Sequence, residues 1–525
     1  MISTAWLWFW DTWNETTGNY PDLSTFLSLL ALVALSCYVF LIKKPSKDKA
    51  PLPPGPRGLP IVGNLPFLDP ELHSYFAKLA EKYGPVIKVR LGSKLCIVFS
   101  SPAVAKEVLK DYDATFADRD QSAMGLALSY GGVDLGVAPY GDHWRMLRKL
   151  CVKELINHTR LTALYDLRRR EARRMINRIY TKIGSPLSLN EEILLTTFNF
   201  ITNMMWGGTL EKEEMSRLTT EFRLVVHEMI DLMGKPNISD YFPALAPFDL
   251  QGLEPKMKKN VIWFEKIFQQ VIDRRREMES QGEGQEKEGK DFLQILLQLI
   301  EQGDQKTPFT LTHLKALFLD LILAGTKTTA TAVEWAVSEL IKQPVLMKKA
   351  KQELDEVVGM NNIVEESHLP KLQYIEAVMK EVLRLHPPGT LLLPRTPKES
   401  CIIGGYMIPK GAMVFVNVWA IQRNPEYWVD PLEFRPERFL NSTWDLNGSD
   451  LRYFPFGSGR RMCAGVPLAE RQTSYLLASL LHSFDWELPE GEKLDLTEAF
   501  GMEMTKKIPL VAIPTPRLFE PRLYT

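Results

Sequence analysis

Residues 453–465 read YFPFGSGRRMCAG, and residues 466–484 continue as VPLAERQTSYLLASLLHSF, where apolar side chains recur at helical spacing. Together they predict a glycine-rich loop that leads into a helix, with Cys463 just before the helix N-terminus. Glycine residues allow positive φ and a close approach of the backbone. Free amides and the helix dipole stabilise a thiolate, and Arg460 and Arg461 add positive charge. The loop therefore favours a cysteine thiolate that binds a metal within a flat macrocycle.

Two other interpretations of this loop stay open from its residues alone. Cys463 is also compatible with an incidental buried cysteine, because free cysteines often act as small hydrophobic residues. In addition, Gly457-Ser458-Gly459 begins a GxGxxG pattern typical of dinucleotide-binding loops. That pattern fails at Met462, and no strand clearly precedes it.

The overall composition is that of a globular protein and excludes several classes. The chain has 525 residues, of which 63 are basic and 64 acidic, so its charge gives no support for nucleic-acid binding. The five cysteines are scattered and form no CxxC pair, which argues against a disulfide framework and a structural zinc site. Length alone suggests about three domains, but no second low-complexity linker follows Ile61. We therefore predict one domain over residues 61–525.

The N-terminal part predicts a membrane anchor. Residues 23–42 contain no charge and are long enough to cross a hydrocarbon core of about 30 Å as a helix. A cleaved signal peptide is the alternative, but the apolar run is long and is followed by lysines. Residues 1–22 carry acidic but no basic side chains, so the positive-inside rule makes them luminal and the body cytosolic. Asn14-Glu15-Thr16 is then a luminal glycosylation acceptor.

Residues 43–60 are predicted to form a basic, proline-rich hinge that is stiff rather than flexible. Beyond it, most segments have helical spacing, and strand-like runs occur at 86–91, 95–100 and 413–418. We therefore predict a mainly α fold with a small β sheet.

The longest predicted helix begins near Thr310 and ends before Pro344. At 1.5 Å per residue it is about 50 Å long and must cross the domain. Its apolar middle changes abruptly to Gly325, Thr326, Lys327 and Thr328. Threonine hydroxyls at such a place can bond to carbonyls one turn back and distort the helix. Its centre is therefore either part of an active site or a packing site for small residues.

The pattern F-x-x-G-x-R-x-C-x-G, which spans Phe456 to Gly465, resembles the haem-binding signature of the cytochrome P-450 superfamily. The variant PFGSGRR is similar to that of plant microsomal members. The resemblance covers nearly the whole chain, because EVLRLHPP at 381–388 and FRPERF at 434–439 precede the loop in the family's order. It implies the cytochrome P-450 fold and a haem b whose iron is bound by Cys463. The Glu–Arg–Arg network that it implies consists of Glu381, Arg384 and Arg438.

The resemblance also implies which residues contact haem and activate oxygen. YGDHWRMLRK at 140–149 resembles the helix that contacts a haem propionate, and Arg395 and Arg461 resemble the other propionate ligands. The haem-contacting residues so implied are Trp144, Arg148, Arg395, Phe456, Arg461 and Gly465. The residues implied for oxygen activation are Gly325, Lys327 and Thr328.

Lys327 departs from the family, which normally carries Asp or Glu before the threonine. A carboxylate can relay protons, whereas an ammonium only donates. Three interpretations follow: Lys327 points away and water delivers the protons, oxygen activation is weakened, or Lys327 binds an acidic or carbonyl group of the substrate. Weakened activation would make the chain an aldoxime dehydratase, a hydroperoxide-rearranging enzyme, or a non-catalytic haem sensor or carrier.

The function implied by the resemblance is monooxygenation with O2 at the endoplasmic reticulum membrane. The chain has no flavin or nicotinamide fingerprint, so its electrons come from an NADPH–cytochrome P-450 reductase, with cytochrome b5 as a second donor. Arg145, Lys149 and Lys153 either meet an acidic partner or form a solvated face. The resemblance places substrate contacts in five apolar stretches, which favour a lipophilic terpenoid, then a flavonoid or phenylpropanoid. The stretches are Ser122–Tyr130, Met204–Met233, Leu321–Thr326, Thr390–Leu393 and Phe500–Met504.

Overall fold

The computed structural model describes residues 28–29, 31–33, 50–210, 212–281, 291–303 and 307–525, and side chains throughout these ranges except at 208, 212–220 and 223. The predicted luminal segment 1–22, with Asn14, lies outside the described residues. So do residues 282–290, residues 43–49 of the predicted hinge and most of the predicted anchor 23–42. The described anchor residues, 28–29 and 31–33, are helical and exposed.

Helices make up most of the described chain, which confirms the predicted fold class. Short 3₁₀ or π segments lie between several of them; one of these, the π-helical turn Cys151–Leu155, directly continues α4. The α-helices are α1 Leu72–Tyr83, α2 Pro102–Lys106, α3 Ala123–Leu128, α4 Asp142–Leu150, α5 His158–Ala163, α6 Tyr165–Tyr180, α7 Leu189–Trp206, α8 Lys212–Gly234, α9 Ile238–Tyr241, α10 Leu253–Ser280, α11 Phe292–Gln302, α12 Leu311–Lys342, α13 Pro344–Val357, α14 Gln373–Leu385, α15 Val418–Ile421 and α16 Val466–Ser483.

The strands form four small sheets in the described chain instead of the one sheet that was predicted. The largest has five strands in the order β1-β2-β8-β5-β3, with β2 and β8 parallel. The others are β4-β12-β9 and the hairpins β6–β7 and β10–β11. The strands are β1 Val86–Leu91, β2 Lys94–Phe99, β3 Asp118–Arg119, β4 Leu187–Ser188, β5 Arg395–Thr396, β6 Cys401–Ile403, β7 Tyr406–Ile408, β8 Met413–Val416, β9 Phe484–Glu487, β10 Glu498–Ala499, β11 Thr505–Lys506 and β12 Val511–Pro516.

Helix α12 is the long helix that the sequence predicts, and its ends are fixed by local chemistry. Thr310 caps its N-terminus in a capping box with His313. Pro344 begins the next helix and cannot continue the hydrogen-bond ladder of α12. The helix packs against α7, α14 and α16. Among the described residues it is the one helix long and apolar enough to cross a membrane, but 67% of its most apolar window is buried, as in a core helix.

The described end of the proline-rich hinge packs on the sheets. The carbonyl of Pro54 accepts a hydrogen bond from the Lys88 amide of β1 at 2.8 Å, and that of Pro51 accepts one from the Met407 amide of β7 at 2.9 Å. Because proline fixes φ, this extended segment keeps its direction where it leaves the body. Its contacts tie the chain that comes from residues 43–49 to one edge of the fold.

Candidate active site

The cysteine loop has the geometry that its glycines allow. Gly457 and Gly459 have φ of 74° and 71°, in the left-handed region. A Cβ at Gly459 would lie 2.0 Å from the carbonyl oxygen of Leu109, so no larger residue fits there. The Cys463 amide donates to the carbonyl of Phe456 at 3.0 Å and closes the loop.

The surroundings of the Cys463 sulfur favour negative charge, although burial opposes it. The Gly465 amide donates to Sγ at 3.3 Å, and helix α16 begins immediately afterwards at Val466. Burial raises the pKa of the Cys463 thiol, while these backbone amides and the charge of Arg148 lower it. A metal bound to the sulfur would add the positive charge that stabilises a thiolate.

Cys463 faces a cavity, here called the cysteine cavity, with an empty volume of about 1020 Å³. Cys463 is an exposed residue, and it is among the residues that line this cavity. One wall is the cysteine loop and the other is the middle of α12, including Ala324, Gly325 and Thr328. Trp144 and Arg148 from α4 line its side, and Phe456 and Gly465 lie beside the cysteine. The fold thus places Cys463 opposite the threonine-rich turn that the sequence singled out, and Cys151 lines the same cavity from the end of α4.

Positive charge is concentrated at one edge of the cysteine cavity. Arg395 is buried, and one of its nitrogens donates to the carbonyl of Ser458 at 3.3 Å. Its Nε and Nη1 have no hydrogen-bond partner in the described part of the chain. Burial, and then the charge of nearby Arg461, lowers the pKa of Arg395 to about 10. Unpaired buried donors next to a second guanidinium are stabilised by an anion, so this edge fits the two propionates of a haem b.

Arg461 and Trp144, both predicted to contact haem, donate their hydrogen bonds to backbone carbonyls of the protein. Arg461 donates to the carbonyls of Ala117 at 2.7 Å, Leu135 at 3.1 Å and Ala138. Its guanidinium carbon lies 4.3 Å from the centre of the Trp144 ring, and the Trp144 indole donates to the Leu135 carbonyl at 3.1 Å. Arg461 therefore contributes charge and packing to this edge, and direct hydrogen bonds from either side chain to a propionate stay a prediction.

The middle of α12 has the hydroxyl-to-carbonyl bonds that its composition predicts. Thr326 donates to Ile322 at 2.8 Å, and Thr328 donates to Ala324 at 2.6 Å. A Cβ at Gly325 would lie 3.0 Å from Cδ1 of Ile201, so a larger residue there would require that side chain to move. The Thr328 hydroxyl lies on the cavity side of the helix, where it can turn towards a ligand of the metal.

Lys327 lies on the opposite side of α12 from the cysteine cavity. It lines a second cavity, and its Nζ is 3.2 Å from Oε1 of Glu503. The side chains of Lys327 and Glu503 are 17% and 8% exposed. The ammonium is therefore already paired within the protein and does not face the space between Thr328 and Cys463.

Glu381, Arg384 and Arg438 meet as the resemblance implies. Glu381 and Arg384, one helical turn apart on α14, are fully buried and bond through two pairs of atoms at 2.6 and 2.8 Å. Arg438 donates to Glu381 at 3.2 Å. The Arg384 guanidinium also reaches the carbonyls of Gln422 and Pro431, each at 2.8 Å. Because these carbonyls belong to the chain that leads to the cysteine loop, the network joins α14 to that region.

Three charged groups near the cavity were not found by reasoning from the sequence. Arg119 lines the cysteine cavity and donates to the carbonyls of Gly136 at 3.1 Å and Leu393 at 2.7 Å. Asp320 lines it too, accepts the Leu135 amide at 2.7 Å, and faces the carboxyl of buried Asp134. Burial and the neighbouring carboxyl raise the pKa of Asp320 well above its ordinary value. Neither group has a local motif that marks it.

The third missed group, Glu503, had an indirect signal. A lysine at the centre of a buried helix needs a neutralising partner. The sequence shows that requirement but not which carboxylate meets it, since many acidic residues lie far from Lys327 along the chain.

Comparison with known proteins agrees with this geometry. The family model for cytochrome P-450 matches residues 53–511. A flavonoid 3'-monooxygenase of Oryza sativa subsp. japonica is 38% identical, with 96% of this chain and 98% of that protein covered. An iridoid oxidase of Catharanthus roseus is 38% identical, with 96% and 99% covered, and a ferruginol synthase of Isodon rubescens is 37% identical, with 93% and 98% covered.

Solved structures support the same fold. A zebrafish cytochrome P-450 with progesterone superposes with a TM-score of 0.74 at 24% identity, over 86% of this chain and 100% of that one. The site brings a cysteine sulfur, a charged edge and a threonine-lined helix around one cavity. With the match over residues 53–511, these features lead to one conclusion: the chain belongs to the cytochrome P-450 family and is a haem-dependent monooxygenase.

Proposed function

We propose that this enzyme hydroxylates a small lipophilic molecule with a largely hydrocarbon skeleton, of terpenoid type. The observation that supports this substrate class is the group of apolar side chains that line the cysteine cavity on and beside α12, next to the polar Asp320 and Thr328. Leu321 and Ala324 of α12, Ile201 of α7 and Leu393 belong to this group. Apolar walls bind a ligand through buried surface, at about 25 cal/mol per Å², and leave a polar group on the ligand without a partner.

A flavonoid is the second candidate substrate. Relatives named flavonoid 3'-monooxygenase support it, while those named for ferruginol and an iridoid, which are terpenoids, support the first. Their identities of 37% to 38% do not separate the two classes. The apolar side chains of the cavity wall therefore decide our preference, since the hydroxyl groups of a flavonoid need hydrogen-bond partners.

The chain's own residues have distinct tasks in this reaction. Haem, when bound, supplies the oxygen chemistry, with its iron held by the Cys463 sulfur. The amide of Gly465 donates to the sulfur and so favours its negative charge, and Arg395 holds the anionic edge of the cofactor. Thr328 holds a proton on its hydroxyl at the cavity side of α12. Leu321 and neighbouring apolar side chains orient the substrate and exclude water.

A reductase docks, in our proposal, on the cysteine-loop side of the protein. Lys149 at the end of α4 and Lys153 in the adjoining π-helical turn are exposed. Arg460, in the cysteine loop itself, is 46% exposed and pairs with Asp113 at 3.0 Å. Exposed cations close to the metal ligand favour an acidic partner and steer its association. The expected partner is an NADPH-dependent flavoprotein reductase, and cytochrome b5 would use the same cationic face.

Membrane attachment is also proposed, with residues 23–42 as a single anchor in the endoplasmic reticulum membrane. Exposed apolar side chains near the hinge support it: Ile61 is 66% exposed, Phe248 70% and Leu250 61%. The two regions lie together, because the Gly92 amide donates to Val62 at 3.2 Å and the Ser93 amide to Tyr241 at 2.9 Å. A contiguous apolar face beside the hinge is expected to lie on the bilayer.

The experiment is a substrate panel with the full-length chain in microsomes that also contain a reductase. Terpenoids and flavonoids are supplied with and without NADPH, and the product mass is measured. We expect a terpenoid product that has gained one oxygen atom and that forms only with NADPH. Cys463→Ser in the same membranes should form no product. Conversion of flavonoids alone would refute the preferred class. Loss of water from an aldoxime without NADPH would show instead that Lys327 marks a dehydratase.

A further inference from the structure

The back of α12 carries a second cavity, here called the rear cavity, with an empty volume of about 1590 Å³. Thr326 and Lys327 line it, whereas Gly325 and Thr328 line the cysteine cavity. Helix α7, helix α8 and the β10–β11 hairpin form its other walls. One turn of α12 therefore separates two cavities, and Lys327 and Thr328 are adjacent residues on its two sides.

Charged groups surround the rear cavity, and most of its carboxylates are already engaged. Glu192 accepts from Lys182 at 2.6 Å and from Arg178 at 2.9 Å. Glu334 accepts from the Leu510 amide and from the Asn190 side chain, each at 2.7 Å. The other titratable residues that line it are Glu191, His227, Lys506 and Lys507. Lys182, Glu191 and Lys507 are exposed, so the rear cavity communicates with solvent.

Glu503 reaches the middle of α12 from the turn between β10 and β11. Its carboxylate lies 3.2 Å from the Lys327 ammonium, and both side chains are largely buried. The turn is itself fixed, because the Met504 amide donates to the carbonyl of Pro388 at 2.9 Å. Lys327 occupies the position at which the family normally has a carboxylate. In this structure the carboxylate of Glu503 lies beside that position, but it belongs to a different segment of the chain.

We propose that Glu503 supplies, from the β10–β11 turn, the carboxyl group that other members carry on the long helix, and that Lys327 is the residue that positions it. Glu503 reaches the rear cavity through Lys327, takes up protons from solvent there, and passes them towards the hydroxyl of Thr328, the residue next to Lys327 on α12. The inference rests on the role proposed above for Thr328. It makes Lys327 compatible with oxygen activation and removes the need for a dehydratase.

The chemistry of a carboxyl group and an ammonium explains the different roles of Glu503 and Lys327. Monooxygenation consumes O2, two electrons and two protons, gives the hydroxylated product and water, and takes its electrons from NADPH. An ammonium only donates, whereas a carboxyl group both accepts and donates a proton. Burial raises the pKa of Glu503, and the charge of Lys327 lowers it. A raised pKa brings a carboxyl group closer to the pH at which it can exchange protons.

The test compares Glu503→Gln with Lys327→Met in the full-length chain, with reductase and a substrate. A relay predicts an asymmetry between the two. Without Glu503, the fraction of NADPH electrons released as hydrogen peroxide rises by at least about tenfold, and the solvent deuterium isotope effect on turnover changes. Lys327→Met keeps the carboxyl group and therefore most of the coupling, with its optimum moved to higher pH. The double variant Lys327→Glu, Glu503→Lys restores coupling, because the carboxyl group returns on the helix.

A purely structural ion pair predicts something different. Both single variants would then lose coupling equally, the solvent isotope effect would stay as in the wild type, and the inference would be overturned. The half-buried pair Lys351 and Asp485 gives a control, since Lys351→Met and Asp485→Asn remove an ion pair whose residues line neither cavity. A wild-type enzyme that consumes no NADPH with any substrate of the panel would contradict the proposed function instead.

Thermal unfolding provides a readout that does not depend on activity. The pKa of Glu503 is raised above its ordinary 4.5, so protonated Glu503 stabilises the fold at low pH and this contribution is lost as pH rises through the raised pKa. The wild type should therefore lose stability relative to Glu503→Gln as pH rises. In Lys327→Met the loss of stability should extend to higher pH, because removal of the lysine raises the pKa of Glu503 further. Identical pH profiles of the three proteins would refute a buried, titrating Glu503.

Discussion

Replacing Glu381 by glutamine removes the single negative charge from a buried cluster that holds two arginines. Glu381 is 0% exposed and accepts hydrogen bonds from the side chains of Arg384 and Arg438 and from the Arg435 amide. Glutamine keeps the shape and one acceptor oxygen, so cavity formation contributes little. The guanidinium of Arg384, also 0% exposed, would remain buried without its counter-charge.

The expected cost follows from that unpaired charge. Breaking a buried ion pair by removing one partner costs about 3–5 kcal/mol. The carbonyls of Gln422 and Pro431 still accept from Arg384 at 2.8 Å, which places the loss at the lower end of that range. For a domain of several hundred residues the entropy of unfolding is about 1 kcal/mol/K, so the melting temperature should fall by about 3 °C.

The assay is thermal unfolding of the haem-loaded protein, followed by circular dichroism. Glu376→Gln on the same helix is the matched control, because Glu376 is 47% exposed and its pair with Lys380 is worth at most about 1 kcal/mol. We expect the control to differ from the wild type by less than 1 °C. Equal melting temperatures for Glu381→Gln and Glu376→Gln would show that the network does not stabilise the fold electrostatically.

Three further outcomes are expected. Cys463→Ser should lose the absorption spectrum typical of thiolate ligation in the reduced, carbon monoxide-bound form, and retention of that spectrum would mean that another residue binds the iron. Arg395→Met should release haem to an acceptor protein faster than the wild type, whereas Arg452→Met, at an exposed pair with Asp450, should not. Asp320→Asn should gain stability relative to the wild type as pH rises. Burial and the neighbouring carboxyl raise the pKa of Asp320, so its protonated form stabilises the wild-type fold at low pH and this contribution is lost as pH rises through that pKa. Melting temperatures that change in parallel with pH in the two proteins would contradict this.

Much of the fold and part of the site could be predicted from local sequence. The bounds of α12 follow from a capping threonine and a terminating proline, and the predicted strand 86–91 is β1 as found. The cysteine loop depends on glycines whose positive φ no other residue adopts easily. The Glu381 network was predictable because two of its members lie one helical turn apart. In each case the deciding interactions join residues close together in the chain.

Only the tertiary structure shows which distant residues meet. The charge of Lys327 predicts a partner, but Glu503 reaches it because the β10–β11 turn packs behind α12. Arg119 joins the charged edge of the cysteine cavity because β3 pairs with β5, the strand that carries Arg395. Burial then gives these contacts their strength, because charges removed from water need partners that only the packed chain brings close. The sequence thus predicted Cys463 as the metal ligand and identified the helix opposite it, whereas the packing of remote segments determined the electrostatics around them.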